Sequence, residues 1–193
     1  MLENLKKYNV ILASNSPRRK ELLSGLGIEY SIKVLSGIEE LYPDFLRKED
    51  IPIYISREKA SAYLSSMSEN DLIITADTIV WVNGEVLGKP ENEDEARCML
   101  HQLSGKIHEV ITGVSLTTKS FQHSFSSVSK VKFAKLTNEE IDYYIVNYHP
   151  MDKAGAYGVQ EWIGFVGVEN IKGSFYNIMG LPIQKLYNEL KKI

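Results

Sequence analysis

The sequence has a single cysteine, no excess of basic residues and no long apolar run. Cys98 alone cannot form an intrachain disulfide or a CxxC site, which fits a reducing compartment. With 22 Lys and Arg against 25 Asp and Glu, the formal charge of −3 argues against a general nucleic-acid binder, which would need a basic face. No segment approaches the ~20 apolar residues of a membrane span. No signal peptide is recognised, and the histidines lack zinc-ligand spacing. We expect a cytoplasmic protein that binds neither membranes nor nucleic-acid polymers.

What remains is the composition of an ordinary soluble globular protein. The 193 residues are 44% hydrophobic and 24% charged, and no repeat or linker interrupts them. At ~150 residues per domain, this length predicts one domain, or two closely packed lobes, over residues 1–193.

Hydrophobic patterning predicts a mixture of helices and strands. Apolar runs predict strands at 8–13 and at 72–76, the second ending at Asp77, with a short strand near 29–35. Asn83-Gly84 predicts a hairpin between 79–82 and 85–87, and two long β-rich segments follow at 107–118 and 121–134. Helices are predicted at 17–25, 52–67, 93–103, 138–148 and 182–192, whereas 155–180 is interpreted as strand and loop. The fold class is therefore α/β.

The first candidate site is the turn between the first strand and the first helix. Ser14, Ser16, Arg18 and Arg19 place hydroxyls and guanidiniums at a helix N-terminus, where backbone N–H groups also favour anions. This set of groups suits a polyphosphate, although it would equally occur in a capped helix with solvated arginines. It is not a Walker A loop, because the glycines and the GK[ST] ending are missing.

Acidic residues supply a second candidate site. Asp77 follows an apolar strand, and the carboxyl ends of such strands are where ligands gather in α/β sheets. With Glu39 or Glu40 it could bind a hydrated divalent cation, or it could accept a proton from water. An Asp that only caps a turn would look the same.

The segment from Asp152 to Gln160 is a third candidate. Its small residues allow close approach of a ligand to the backbone, and Gln160 could read a base edge with paired donor and acceptor. A tightly packed strand with glycines is the alternative interpretation.

Taken together, ordered segments along nearly the whole chain resemble the Maf family (septum formation protein Maf) of nucleoside triphosphate pyrophosphatases. They read LASNSPRRKELL, GIEE, REKA, ADTIV, NGEVLGKP, LSGKIHEVITGV, MDKAGAYGVQ and IKGSFYNIMGLP. The resemblance implies a fold related to the inosine-triphosphate pyrophosphatases, with an elongated mixed β-sheet, flanking helices and two lobes around a central cleft. It implies an enzyme that uses Mg²⁺ or Mn²⁺ and water to release pyrophosphate from a nucleoside triphosphate, with a homodimer expected. Pro-Arg-Arg and Asp-Thr resemble the branch that acts on dTTP and UTP.

The resemblance also implies roles for individual residues. Asp77 matches the family's catalytic proton acceptor, and Glu40 together with Asp77 matches the acidic residues near the metal. Residues that match base-specificity positions are Arg18, Thr78 and Gln160. Residues that match positions around the phosphates are Ser14, Arg19, Lys59 and Lys89. Asn15 departs from the family pattern, where a small residue is more common, and we expect it to tune activity.

Two other functions remain open from the sequence. A nucleotide sensor that regulates division or septum formation without turnover would share the anion-binding residues, but it would not need a poised base such as Asp77. A purine-directed pyrophosphatase of the inosine-triphosphate type would share the chemistry, and the SPRR and ADT segments weigh against it.

Overall fold

The computed structural model describes residues 2–193, and its main element is a mixed seven-stranded β-sheet. The strands are β1 (Asn9–Leu12), β2 (Ser31–Ile32), β3 (Asp71–Val82), β4 (Glu85–Leu87), β5 (Ile107–Thr117), β6 (Gln122–Phe133) and β7 (Val168–Lys172). Their order in the sheet is β2-β1-β3-β5-β6-β7, with β4 paired to β3. β1 is parallel to β2 and β3, whereas the β3–β4 and β6–β7 pairs are antiparallel. The α/β prediction is confirmed.

Helices connect the strands, and most begin at residues with clear capping chemistry. They are α1 (Pro17–Ser24), α2 (Asp50–Ser61), α3 (Glu93–Leu103), α4 (Asn138–Tyr148), α5 (Trp162–Gly167), α6 (Phe175–Ile178) and α7 (Ile183–Leu190). Ser16 caps α1 through its side chain, with Pro17 at the first helical position. Thr137 and Glu140 form the predicted capping box of α4.

The chain divides into two compact units. The first comprises Met1–Asp77, Thr112–Ser127 and Gly180–Ile193, and its buried residues include Leu12, Leu23 and Ile73. The second comprises Thr78–Ile111 and Val128–Met179, and its buried residues include Leu100, Phe133 and Tyr144. Strands β3, β5 and β6 each contribute residues to both units.

Two predicted boundaries in the first half of the chain are wrong. The predicted strands at 72–76 and 79–82 form the single strand β3, so Asp77 lies inside a strand rather than at its carboxyl end. Thr78, Ile79 and Val80 are β-branched, and no glycine or proline interrupts them, so the strand continues. The helix predicted at 52–67 ends at Ser61, and a separate 3-10 turn follows at Leu64–Ser66. Ala62, just after the helix, is exposed and does not pack against the core.

The segment 155–180 differs from the predicted strand and loop, because it contains the helices α5 and α6 as well as strand β7. Its glycines suggested breaks, whereas Gly164 serves close packing inside α5. A Cβ there would lie 1.8 Å from the carbonyl oxygen of Val159, so no larger residue fits. Gly155 does have a left-handed backbone, with φ of 68°.

Candidate active site

The turn between β1 and α1 is stabilised by its own hydroxyl groups. The Ser16 side chain accepts a hydrogen bond from the Arg19 backbone N–H at 3.4 Å, which starts the helix. Ser14, which is buried, accepts hydrogen bonds from the Ser16 N–H at 3.2 Å and from Arg19 Nη1 at 3.4 Å. The structure therefore brings Ser14 and Arg19 together, as the candidate phosphate site requires.

The Arg19 guanidinium also contacts two distant parts of the first unit. Its Nε donates to the carbonyl oxygen of Gly180 at 2.8 Å, and Nη1 donates to that of Ala76 at 2.9 Å. Burial lowers the pKa of Arg19, and the negative charges of Asp77 and Glu40 act in the opposite direction. Arg19 thus holds the backbone immediately before Asp77 against the β1–α1 turn.

Asp77, Lys59 and Glu40 form a charged cluster in the same unit. Lys59, on α2, places Nζ 2.8 Å from Asp77 Oδ1 on β3 and 2.8 Å from Glu40 Oε1 in the loop before α2. The Asp77 side chain is 8% exposed, whereas that of Glu40 is 45% exposed. A protected carboxylate thus contacts an ammonium, and a second, accessible carboxylate contacts the same ammonium.

The oxygen ligands in this cluster suit a hard divalent cation. No group of three or more His, Cys, Asp or Glu residues that could hold a metal exists within residues 2–193. Mg²⁺, however, is commonly held by one or two carboxylates together with water and substrate phosphates. Glu40 and Asp77, which contact the same ammonium, are two carboxylates of the kind that could bind such a cation.

Three of the predicted site residues belong to the second unit. Thr78 follows Asp77 on β3, Lys89 is exposed after β4, and Gln160 is half-buried before α5. The Gly155 N–H donates to the Gly88 carbonyl oxygen at 2.9 Å, which joins the segment of Lys89 to that of Gln160. The Gln160 Oε1 atom is buried and has no hydrogen-bond partner among the described residues. A buried acceptor of this kind is a candidate contact for a ligand.

A network that sequence reasoning did not identify supports the turn that carries Gln160. The Tyr144 hydroxyl accepts from the Gly158 N–H at 2.9 Å and donates to Glu161 Oε2. The other Glu161 oxygen lies 3.1 Å from Nζ of Lys153, which is itself buried. Burial raises the pKa of Tyr144, and the bond to Glu161 adds to that effect. The available signal in the sequence was a lysine, Lys153, among the small residues of MDKAGAYGVQ, since a charge that becomes buried in such a segment needs a partner.

The structure therefore joins Ser14 to Arg19, and Glu40 to Lys59 and Asp77, within one unit. Arg18 lies half-buried on α1. Roles in catalysis and base recognition stay predictions for all of these residues.

None of the helices within residues 2–193 combines the length and the apolar character that a membrane span requires.

The chain is similar to known proteins along nearly its whole length. Residues 9–193 match the family model described as Maf-like protein. A protein of Phocaeicola vulgatus named dTTP/UTP pyrophosphatase is 67% identical over 193 residues, covering 100% of both chains. Proteins of the same name from Bacteroides thetaiotaomicron and Parabacteroides distasonis are 63% and 60% identical, with 100% and 99% of each chain covered.

The fold is also shared with a more distant solved structure. A HAM1 protein from Coxiella burnetii superposes with a TM-score of 0.52 at 13% identity, covering 96% of this chain and 100% of that one. At this identity, the likeness concerns the fold alone.

Proposed function

We propose, from the premise that this chain belongs to the Maf-like protein family, that it hydrolyses dTTP and UTP to the nucleoside monophosphate and pyrophosphate. The relatives that share 60–67% of its residues over the full length are named for that activity. The structural observation that carries the proposal is the contact of Asp77 with Lys59, beside the exposed Glu40. We treat residues 1–193 as one family domain with two lobes.

Asp77 is the residue that we assign to the attacking water. Its carboxylate orients the water and accepts its proton as the oxygen attacks the α-phosphorus. The bond between the α-phosphorus and the bridging oxygen then breaks, and pyrophosphate leaves with that oxygen. The Lys59 ammonium stays beside the reacting group and offsets negative charge on the phosphate oxygens.

Further cationic and polar groups bind the triphosphate. Those assigned to the phosphates are Ser14, Arg19, Lys59 and Lys89. Glu40 and Asp77 would hold Mg²⁺ or Mn²⁺, which when bound neutralises phosphate charge and assists the departure of pyrophosphate. The exposure of Glu40 leaves it accessible to a cation that arrives with the nucleotide.

Base selection is assigned to Arg18, Thr78 and Gln160. Thymine and uracil both carry an N3–H donor, whereas N3 of cytosine is an acceptor. The unpartnered Oε1 atom of Gln160 would accept from that N3–H and would repel cytosine. This chemistry explains how one site takes dTTP and UTP together and discriminates against CTP.

The setting that we propose is a homodimer in the cytoplasm that acts on free nucleotides rather than on nucleic-acid polymers. The formal charge of −3 suits small anionic substrates held by a few local cations.

The test is pyrophosphate release by the purified chain over a nucleoside triphosphate panel with Mg²⁺, Mn²⁺ or EDTA. We expect metal-dependent release, fastest with dTTP and UTP and slow with CTP. Asp77→Asn should fold normally and lose about 10²–10⁴-fold of the rate, the usual contribution of a general base. Glu169→Gln, which removes a carboxylate paired with Lys132 on the surface, is the matched control and should keep the wild-type rate. Tight nucleotide binding without release would instead indicate a sensor, and release of orthophosphate would show that a different bond is cleaved.

A further inference from the structure

Next to the contact between Lys59 and Asp77, helix α2 and strand β3 make a second contact, between Ser56 and Thr75. Ser56 precedes Lys59 by three residues on α2, so both side chains lie on the same helix face. Thr75 precedes Asp77 by two residues on β3, so both side chains lie on the same face of the strand. The Thr75 side chain contacts the Ser56 backbone, and two residues further along β3 the Asp77 side chain contacts the Lys59 side chain.

This second contact consists of buried hydroxyl groups. Thr75 Oγ1 donates to the Ser56 carbonyl oxygen at 2.6 Å. Ser56 Oγ donates to the Ile53 carbonyl oxygen at 2.8 Å and lies 2.9 Å from Ser115 Oγ on β5. A hydroxyl has only one proton, so Ser115 must donate to Ser56. Ser56, Thr75 and Ser115 are all fully buried.

A third contact fixes the other end of the same helix face. A Cβ at Gly113 on β5 would lie 2.3 Å from the Pro52 carbonyl carbon and 2.5 Å from the Ile53 nitrogen. The backbone of α2 therefore rests directly on β5 at this point. Gly113 and Ser115 share one face of β5, so the backbone contact, the hydroxyl contact and the charged contact follow one another along α2.

We propose that the hydroxyl contact of Thr75, Ser56 and Ser115 positions Lys59 against Asp77. The inference rests on the proposed function, because it assigns these residues a part in that reaction. Lys59 has a long, flexible side chain, so the place of its ammonium depends on where α2 lies on the sheet. The backbone contact at Gly113 holds the first turn of α2 against β5, and the directed hydrogen bonds of Thr75 and Ser115 hold the helix near Lys59. The three residues do not touch substrate and act through Lys59.

The test compares Thr75→Val, which keeps the side-chain shape and removes the hydroxyl, with Thr75→Ser, which keeps the hydroxyl. We expect Thr75→Val to lower kcat for dTTP by about 10-fold or more with KM within about twofold, since a 1 Å misplacement can cost ~10²-fold. Thr75→Ser should restore most of kcat. Thr112→Val is the matched control, because Thr112 is fully buried on the opposite face of β5 from Gly113.

A second comparison distinguishes positioning from general damage to the fold. In a Lys59→Met background, Thr75→Val should cause no further loss of kcat, because the residue it positions is already gone. An equal loss in both backgrounds, or the same loss from Thr112→Val, would overturn the inference. Unchanged kcat in Thr75→Val would do so as well.

A crystal structure of the Thr75→Val variant supplies a readout that needs no activity. We expect the distance from Lys59 Nζ to Asp77 Oδ1 to exceed the present 2.8 Å. An unchanged distance would overturn the positioning role, whereas a wild-type chain that releases no pyrophosphate would overturn the proposed function and leave this measurement valid.

Discussion

Replacement of Tyr144 by phenylalanine should destabilise the protein and loosen its choice of base. Tyr144 is fully buried, and its hydroxyl joins the Gly158 N–H to the Glu161 carboxylate. Phenylalanine fills the same space but leaves that N–H without a partner and one carboxylate oxygen without its donor. Both groups belong to the turn that carries Gln160.

The size of the effect follows from these two lost bonds. An unsatisfied buried N–H costs about 1–3 kcal/mol, and a hydrogen bond to a charged acceptor contributes about 1.5–3 kcal/mol. The loss at Glu161 lies at the lower end of its range, because this carboxylate keeps its contact with Lys153 at 3.1 Å. We therefore expect a loss of about 3 kcal/mol in the free energy of unfolding, which for a chain of this size lowers Tm by roughly 6–12 °C.

Two assays check the prediction. Thermal unfolding gives the change in Tm, and Tyr148→Phe is the matched control, since Tyr148 stacks on Tyr144 but is 36% exposed. That control should change Tm by no more than ~2 °C, as surface substitutions do. The ratio of kcat/KM for dTTP over CTP should fall in Tyr144→Phe toward that of Gln160→Ala. A Tm within ~2 °C of the wild type, or an unchanged ratio, would refute the reasoning.

Two further predictions concern packing and pH. Gly113→Ala should cost about 1–3 kcal/mol, because its Cβ would lie 2.3 Å from the Pro52 carbonyl carbon and α2 must move; denaturant unfolding that matches the wild type would contradict this. Burial lowers the pKa of His108 to about 4, so the unfolded chain takes up a proton first as the pH falls below ~6.5. The free energy of unfolding should therefore fall by about 3 kcal/mol as the pH falls from ~6.5 to about 4. His108→Phe should make this fall smaller. If the urea midpoint shifts equally in both proteins between pH 7 and pH 4.5, His108 is not the cause.

Local chemistry was sufficient to predict several elements from the sequence. Asn92 caps α3 through its side chain, and the helix spans Glu93–Leu103 as predicted. The Asn83-Gly84 turn joins β3 to β4, with positive φ at both residues, as a type I′ turn requires. In each case the signal lies within a few residues of the feature that it determines.

Elements that depend on distant contacts were not predictable in this way. Helix α2 ends at Ser61, and Tyr63 donates its hydroxyl to the Lys33 carbonyl oxygen at 3.0 Å and accepts from the Leu35 N–H at 3.0 Å. Those partners lie about thirty residues earlier in the chain, at separations of 30 and 28. A periodic apolar pattern continues through this region, so the pattern alone extends the helix too far.

The candidate site shows the same limit and adds a distinction between its cations. The resemblance to the Maf family implied one role, at the phosphates, for both Arg19 and Lys59. In the structure, Arg19 donates to Gly180 and Ala76, which lie 161 and 57 residues away, whereas Lys59 contacts the carboxylates of Asp77 and Glu40. A guanidinium has several donors in a fixed plane and can join backbone segments, while an ammonium is a compact charge on a flexible stem. Arg19 is therefore suited to hold the strand that presents Asp77, whereas Lys59 is suited to the place beside Asp77 that we propose for it.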